Sequence, residues 1–247
     1  MRNFNLCRPL TEATVTYAFR DSGGEFSEEI IMDRGINEPS RNIIFPVCDE
    51  IRITATLPEI GEFDRVHLAG LNILDGLSFD IAGGDSIDQA VYARPKSTHR
   101  QTLRFDPVNT LTPTLTISGI NQRQLQMRQM MFAKVGFTPE YCFDYGSIAQ
   151  ISNRFTPSQT GGSNYFQIAD TTHGRAANFS NQSDDAVLDA EYFLDEILDR
   201  GYCLLEENDQ SDDHTDSYIA RVSMSEVNPV AFNLNSFTLN YLEAFKQ

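Results

Sequence analysis

Residues 50–57 read Glu-Ile-Arg-Ile-Thr-Ala-Thr-Leu and alternate strictly between side chains of two kinds. Successive side chains of a β-strand point to opposite faces, so Ile51, Ile53 and Ala55 would share one face of a strand. The polar residues between them would occupy the other face. The stretch therefore predicts a strand with one buried and one solvated face, as in an antiparallel sheet.

Short segments that are alternating or rich in apolar and β-branched residues recur along the chain. They are separated by clusters of turn residues such as Asp-Ser-Gly-Gly at 21–24 and Ala-Gly-Gly-Asp at 82–85. Many short strands joined by turns are typical of sandwiches and jelly rolls. We predict a mainly all-β fold, a jelly-roll-like β-sandwich. The other candidate strands are Thr14–Phe19, Glu29–Met32, Asn42–Val47, Asp64–Ala69, Leu77–Ala82, Val91–Ala93, Gln101–Asp106, Thr114–Ser118, Leu125–Met130, Tyr165–Ala169, Arg175–Phe179, Tyr202–Glu206, Tyr218–Met224 and Phe232–Leu242.

One long segment, from Ser183 to Gly201, has helical spacing instead. Ser183 suits an N-cap, acidic residues follow it in the positive first turn, and Gly201 suits the position after the helix. We predict one amphipathic helix over about 183–200, in the C-terminal half. The apolar residues that recur every three or four positions are Ala186, Ala190, Phe193, Leu194 and Ile197.

The sequence pattern changes around residues 134–146, which are rich in aromatic residues and show no regular alternation. We predict a jelly-roll-like sandwich over 1–133 and a β-rich half with the helix over 134–247, either as a second domain or packed as one unit with the first. In the last strand candidate the apolar face changes near Ser236, which predicts a bulge or a strand that passes between neighbours. The polar segment Met1–Leu10 is expected to form an arm that reaches a neighbouring protein.

The net charge of −16 and the pI near 4.5 restrict the partners. Nucleic acids and anionic membranes attract basic surfaces, so neither is expected as a partner. The charge itself serves solubility, and a partner with a basic surface is the functional alternative. No apolar run approaches the roughly 18 residues of a membrane span, so no membrane insertion is expected.

The four cysteines, Cys7, Cys48, Cys142 and Cys203, are far apart and lack zinc-ligand spacing. Buried free thiols suit this pattern better than a disulfide framework. The chain begins without the apolar stretch of a signal peptide. We therefore expect synthesis and folding in a cytoplasm.

The acidic loop from Asn208 to Asp216 is the first candidate for a metal site, because clustered oxygens suit calcium. Its carboxylates belong to Asp209, Asp212, Asp213 and Asp216. The loop lacks the residue order of an EF-hand, and a solvated hairpin loop is the favoured interpretation. The turn Gly83–Asp88 is a weaker candidate of the same kind.

No motif of catalysis or of cofactor binding is present in the sequence: there is no Gly-x-Ser-x-Gly, no phosphate-binding glycine loop and no His-Glu-x-x-His. The four histidines are isolated from one another, and His67 is expected to be packed or to lie at a rim. We predict a non-catalytic protein without a cofactor. A polysaccharide-cleaving enzyme is the remaining alternative, since 35 acidic residues could supply a pair of carboxylates.

Tyrosines near predicted loops could stack on sugar rings, although packing at a sheet edge is the more common role for such side chains. The candidate carbohydrate-binding residues are Asn72, Tyr92 and Tyr145. The loops expected to form this site are 70–75, 82–88 and 143–147.

Two stretches resemble a known family. Residues 65–81 are similar to a strand, a Gly-x-Asn turn made by Gly70 and Asn72, and a second strand of the galactose-binding-like jelly rolls in tail proteins of long-tailed bacteriophages. Residues 125–139 resemble the strand that closes that jelly roll. The order of elements that follows is similar to the C-terminal half of minor tail or tail-tip proteins, although this chain lacks their tryptophan after Tyr145-Gly146.

The resemblance implies a virion structural protein of a bacteriophage tail tip or baseplate, assembled in the host cytoplasm. Its partners would be other phage tail proteins and further copies of itself, as a homo-oligomer within the assembly. In this family pattern Leu77, Phe79 and Ile81 enter the core. The family brings no catalytic residues. A contribution to contact with a host-surface glycan stays open, and a carbohydrate-binding module without catalysis is the alternative function.

Overall fold

The structure is a computed structural model of the 247-residue chain. It describes residues 3–12, 14–32, 43–73, 76–82, 88–91, 100–139, 144–150, 153–157, 163–167, 172–198, 201–208 and 215–243. Across these ranges, no helix combines the length and the apolar character that a membrane span needs.

Within the described residues the chain forms antiparallel β-sheets and one α-helix, α1, at Asp184–Leu198. The prediction of a mainly all-β, jelly-roll-like sandwich with one helix is confirmed. The strands are β1 Asn3–Pro9, β2 Thr14–Arg20, β3 Ile30–Ile31, β4 Ile43–Cys48, β5 Glu50–Thr56, β6 Gly61–Ala69, β7 Ser78–Ala82, β8 Asp88–Val91, β9 Arg100–Thr110, β10 Thr114–Ser118, β11 Arg123–Met127, β12 Gln129–Phe137, β13 Asp144–Gln150, β14 Asn153–Pro157, β15 Ser163–Gln167, β16 Thr172–Gln182, β17 Cys203–Asn208, β18 Thr215–Met224, β19 Asn228–Ala231 and β20 Leu234–Glu243.

The chain divides into two compact units. The first unit consists of Met1–Leu6 and Gly136–Lys246, and the second unit contains Cys7–Val135. The division falls inside strands β1 and β12. Each unit has its own cluster of buried apolar side chains.

The second unit contains a six-stranded sheet in the order β3-β2-β5-β10-β7-β8. Ile53 of β5 lies between Tyr17 and Leu115 of the neighbouring strands. Ile51, Ile53 and Ala55 are all buried, while the residues between them are partly exposed. The alternation of residues 50–57 therefore has the predicted cause, which is one face against a core and one face toward water.

The core of the second unit is filled from this sheet and from strands β12, β6 and β9, which pair in that order. The ring of Phe63 packs edge-on against both Phe105 and Phe132, with centroids 5.3 Å apart in each pair. Leu77, Phe79 and Ile81 are buried in the same core, as the family resemblance implies. Edge-to-face aromatic pairs stabilise such a core beyond the area that they bury.

The predicted strand over residues 125–130 is in fact the junction of two strands. β11 ends at Met127 and pairs with β4, whereas β12 begins at Gln129 and pairs with β6. Arg128 lies between them and its amide donates to the carbonyl of Ala69. Alternation alone cannot show where a continuous apolar pattern passes from one sheet to another.

The first unit contains strands paired in the order β13-β16-β20-β18-β17-β1, with β19 paired to β20. Helix α1 contributes Val187, Ala190, Phe193 and Ile197 to the buried cluster of this unit. The helix begins as predicted, because the Ser183 hydroxyl accepts a hydrogen bond from the amide of Ala186 at 3.1 Å. After the helix, Gly201 has a positive φ of 70°.

The predicted irregularity near Ser236 exists, but the extra residue is in the neighbouring strand. Phe179 of β16 pairs with Phe237 of β20, and the next pair joins Gln182 to Asn235. Two residues of β16, Ser180 and Asn181, thus lie opposite Ser236 of β20, and Asn181 adopts a positive φ of 59°.

The expectation of a free N-terminal arm is wrong for the described residues 3–10. β1 is a sheet strand, and Leu6, Cys7 and Leu10 are buried. The apolar residues of this short segment were too few to show a strand pattern. Leu6 nevertheless belongs to the buried cluster of the first unit, and Leu10 belongs to that of the second unit.

Candidate functional site

The turn after β6 holds the first predicted site residue, Asn72. Gly70 begins the turn with a positive φ of 71°, and a Cβ there would lie 2.5 Å from Cγ of Arg128. The Asn72 side chain donates from Nδ2 to the carbonyl of Gln124 at 2.8 Å, and its Oδ1 accepts from the amide of Gln126 at 2.7 Å. The Asn72 side chain thus bonds to the backbone of β11 as a neighbouring strand would, and both polar atoms of its amide have protein partners.

The other predicted sugar-binding residues are not brought together with Asn72 in the described residues. Tyr145 lies in strand β13, where it pairs with Ala177 of β16. Residues 144–147 therefore form part of a strand, and the expectation of a loop over 143–147 is wrong for them. Tyr92 lies outside the described residues. Carbohydrate binding by these residues stays a prediction.

The predicted calcium loop falls mostly outside the described residues, which include neither Asp209 nor Asp212 and Asp213. Asp216 lies in β18 opposite Glu207 of β17. Among the described residues, no group of three or more histidine, cysteine, aspartate or glutamate side chains could hold a metal ion. The loop as a cation site therefore also stays a prediction.

His67 is fully buried in β6, and its Nδ1 lies 2.9 Å from the Thr102 hydroxyl on β9. This is the packed histidine that the sequence predicts. Its contact fixes the ring inside the second unit, so the side chain is part of the core of that unit.

Three of the four cysteines, Cys7, Cys48 and Cys203, are buried free thiols, as predicted, and Cys142 lies outside the described residues. Burial raises the pKa of Cys48 to about 11, with smaller contributions from the carboxylates of Asp21 and Asp49 and an opposing hydrogen bond from the backbone of Glu50. Burial also raises the pKa of Cys203. Both thiols are protonated at neutral pH, which makes them poor nucleophiles.

A turn held by Asp49 was not apparent from the sequence. The Asp49 carboxylate accepts hydrogen bonds from the amide of Ser22 and from both the amide and the side chain of Gln122. Asn121 and Gln122 both have positive φ values, 55° and 57°. Two consecutive non-glycine residues in the left-handed region of backbone conformation are strained. The Asp49 carboxylate offsets this strain by accepting the hydrogen bonds from Ser22 and Gln122.

The segment after β2 packs against the sheet through the ring of Phe26, which contacts the guanidinium groups of two arginines. The guanidinium groups of Arg20 and Arg52 lie 4.6 Å and 4.5 Å from the centroid of Phe26. Arg20 also pairs with Glu50. Glu50 thus balances the charge of Arg20, and the Phe26 ring holds the guanidinium groups of Arg20 and Arg52 against this face of the sheet.

The second unit exposes apolar side chains at the edge of a sheet. β3 is the end strand of the six-stranded sheet, and the exposed fraction of Ile31 is 69%. Ile30 beside it is exposed too, and β4 adds exposed Ile44 and Val47. We name Ile30 and Ile31 the apolar edge. Natural proteins usually protect sheet edges with charge, proline, short strands or a covering segment, and this edge is a two-residue strand whose apolar side chains are exposed.

The first unit exposes apolar side chains at two places. On helix α1 these are Leu188 and Tyr192, and on the β19–β20 hairpin they are Val230 and Phe232. Phe232 is 96% exposed at the hairpin turn, followed by Asn233 with a positive φ of 58°. Exposed apolar residues that occur in pairs are more informative than scattered ones.

Comparison with known proteins leaves the family open. No family model matches the chain, and no curated protein matches it. Among solved structures, the cryo-EM structure of arabinofuranosyltransferase AftD from mycobacteria matches 100% of this chain with 11% identity and a TM-score of 0.30. This chain spans 19% of the length of that protein. A likeness at this TM-score carries neither fold nor activity to this chain.

Proposed function

We propose that this protein is a structural component of a bacteriophage tail tip or baseplate that joins neighbouring tail proteins. The observation that carries the proposal is the apolar edge of strand β3. An end strand has unpaired backbone donors and acceptors along one side, and here its side chains are apolar and exposed. Such an edge suits pairing with a strand of another chain, which gives backbone hydrogen bonds and buries the two isoleucines.

The resemblance of residues 65–81 and 125–139 to tail-protein jelly rolls supports the identity of the assembly. In the turn within the first of these stretches, a left-handed Gly70 is followed by Asn72, whose side chain is hydrogen-bonded to the backbone of β11. In this role the protein needs no catalytic group. Its partners are other tail proteins and further copies of itself, and it resides in the virion after assembly in the host cytoplasm.

Substitution of the apolar edge tests the mode of assembly. Ile31→Lys places a charge on the end strand and should abolish self-association in sedimentation velocity at high protein concentration. Ile60→Lys is the matched control, because Ile60 is 68% exposed but lies in the connection before β6. Equal self-association of the two variants and the unmodified chain would show that β3 is not the contact.

The virion role is tested on phage particles from the source strain, with an antibody against the recombinant chain. We expect a band in blots of denatured, purified particles and gold label at the tail end of intact ones. Absence of the chain from denatured particles would reject the proposal. Saturable binding of the chain to host-surface polysaccharide in the same preparation would then favour a carbohydrate-binding module.

A further inference from the structure

Helix α1 has two faces of opposite character. Its buried face contributes Val187, Ala190, Phe193 and Ile197 to the core of the first unit. At 100° per residue, Leu188 and Tyr192 lie next to each other on the side opposite Ala190 and Ile197. Their exposed fractions are 48% and 69%. The helix therefore presents an apolar pair at the centre of its solvent face, four residues apart.

Carboxylates surround this apolar pair on both sides, and the helix contains no lysine, arginine or histidine. Two flanks of three acidic residues follow from the helical spacing. We name these residues with Leu188 and Tyr192 the acidic helix face. One flank is Asp185, Asp189 and Glu196, and the other is Asp184, Glu191 and Asp195.

Asp184 and Asp185 favour the positive first turn of the helix, but the arrangement of the charges along the rest of the helix opposes its stability. Asp185 and Asp189 form a like-charge pair at i and i+4, and so do Glu191 and Asp195. The last turn is acidic and lacks a basic residue, although the C-terminal end of a helix favours cations. No ion pair among the described residues offsets the charges of Asp185, Asp189 and Asp195. A helix retained only for its buried face would not need this pattern.

An apolar centre with a charged rim has the anatomy of a protein interface. We propose that the acidic helix face is a docking surface for a basic amphipathic segment of a partner protein. Leu188 and Tyr192 would pack against the apolar stripe of that segment. Its arginines would reach the ring of Tyr192 and the carboxylates of Asp185, Asp189 and Asp195, since Asp184 already accepts a hydrogen bond from Asn235. This inference is independent of the proposed tail role, since it concerns the first unit and a different surface.

Charge selects this occupant over the others. A second copy of the chain would place six carboxylates against six more, in a protein whose net charge is already −16. Nucleic acid and anionic membranes meet the same repulsion. A basic protein segment gains both electrostatic attraction and burial of the apolar pair, so its chemistry fits the surface.

The direct test is a fluorescence anisotropy titration of the full chain with a labelled 15-residue helical peptide, which matches α1 in length. The peptide has one leucine stripe flanked by three arginines, one each for Asp185, Asp189 and Asp195. We expect saturable binding in about 0.05 M salt that weakens at least about tenfold in about 0.3 M salt, because ions screen exposed charges. A scrambled peptide of the same composition, without a leucine stripe, should bind at least about tenfold more weakly.

Two protein variants locate the binding surface. The first variant replaces three carboxylates in one chain, with Asp185→Asn, Asp189→Asn and Asp195→Asn, and should bind the peptide at least about tenfold more weakly. The second variant, Tyr192→Ala, should weaken binding by a similar factor. The matched control combines Glu25→Gln, Glu28→Gln and Glu59→Gln, which removes three exposed carboxylates from the second unit and changes the net charge equally. Circular dichroism confirms the helix in each variant. Equal loss in the control, equal binding of the scrambled peptide, or no binding at low salt would each overturn the proposal.

Discussion

The ring of Phe193 packs directly on the backbone of Gly136. A Cβ at residue 136 would lie 2.5 Å from Cδ2 of that ring. Helix α1 thus approaches β12 at a distance that only glycine allows, and both residues belong to the first unit. The contact explains why a glycine stands at the penultimate position of β12, although glycine is unfavourable within a strand.

Gly136→Ala should lower the free energy of unfolding by about 1–3 kcal/mol, because a buried aromatic ring cannot yield without repacking. Urea titration of the purified protein measures the change. Phe193→Leu supplies space at the same place, so the double variant should lose less than the sum of the two single losses. Additive losses would show that the two residues do not interact.

Gly119 and Gly23 form a matched pair with the same backbone angle, since both have φ of 77°. A Cβ at Gly119 would lie 1.9 Å from the carbonyl oxygen of Gly76, whereas a Cβ at Gly23 meets nothing within 4 Å. We expect Gly23→Ala to cost about 1 kcal/mol from backbone strain and Gly119→Ala at least about 2 kcal/mol more from the clash with backbone. Thermal unfolding of both variants measures the difference, and similar costs would contradict this geometry.

Asn72→Ala removes both hydrogen bonds from the turn to β11 and should lower the unfolding free energy by roughly 1–2 kcal/mol. Asn109→Ala is the control, because this exposed residue in β9 has no comparable clamp among the described residues, and its change should stay within about 0.5 kcal/mol. Chemical denaturation of the two variants distinguishes them. A loss of glycan binding without a loss of stability would instead assign Asn72 to a sugar site.

The raised pKa of Cys48, about 11 against an unfolded value of 9.0, predicts a loss of stability in alkali. The unfolded chain releases this proton at lower pH than the folded chain does, so the stabilisation is complete below pH 9 and is lost as the pH rises toward 11. Urea midpoints measured across this window should fall for the unmodified chain. They should fall less steeply for Cys48→Ala, while Cys203 still contributes in the same direction. Identical slopes would remove Cys48 as a cause.

Local patterns predicted the elements whose signals lie within one segment. Strand β5 shows its alternation, and α1 shows its cap at Ser183, its apolar spacing and its terminal Gly201. What sequence could not show depends on residues far apart in the chain. The end of β11 at Met127 is determined by pairing with β4, and the role of Asn72 is determined by the backbone of β11.

The two candidate surfaces also depend on residues far apart in the chain. The acidity of α1 could be read from its sequence, but the exposure of Leu188 and Tyr192 required the packing of the helix, because every helical apolar residue is at first a candidate for the core. The apolar edge required the sheet order, since Ile30 and Ile31 have the composition of a buried strand. The bulge near Ser236 was visible as a change of face, but only the pairing showed that it belongs to β16.

The order of strands in the six-stranded sheet also has a consequence for synthesis. β10 lies between β5 and β7, yet of the strands in this sheet it is the last to leave the ribosome. Until residues 114–118 emerge, β5 and β7 each lack the neighbour that completes their hydrogen bonding. During translation β5 and β7 therefore each expose an unpaired edge until β10 has been made. Slow elongation or truncation before Ser118 should favour aggregation of the nascent chain.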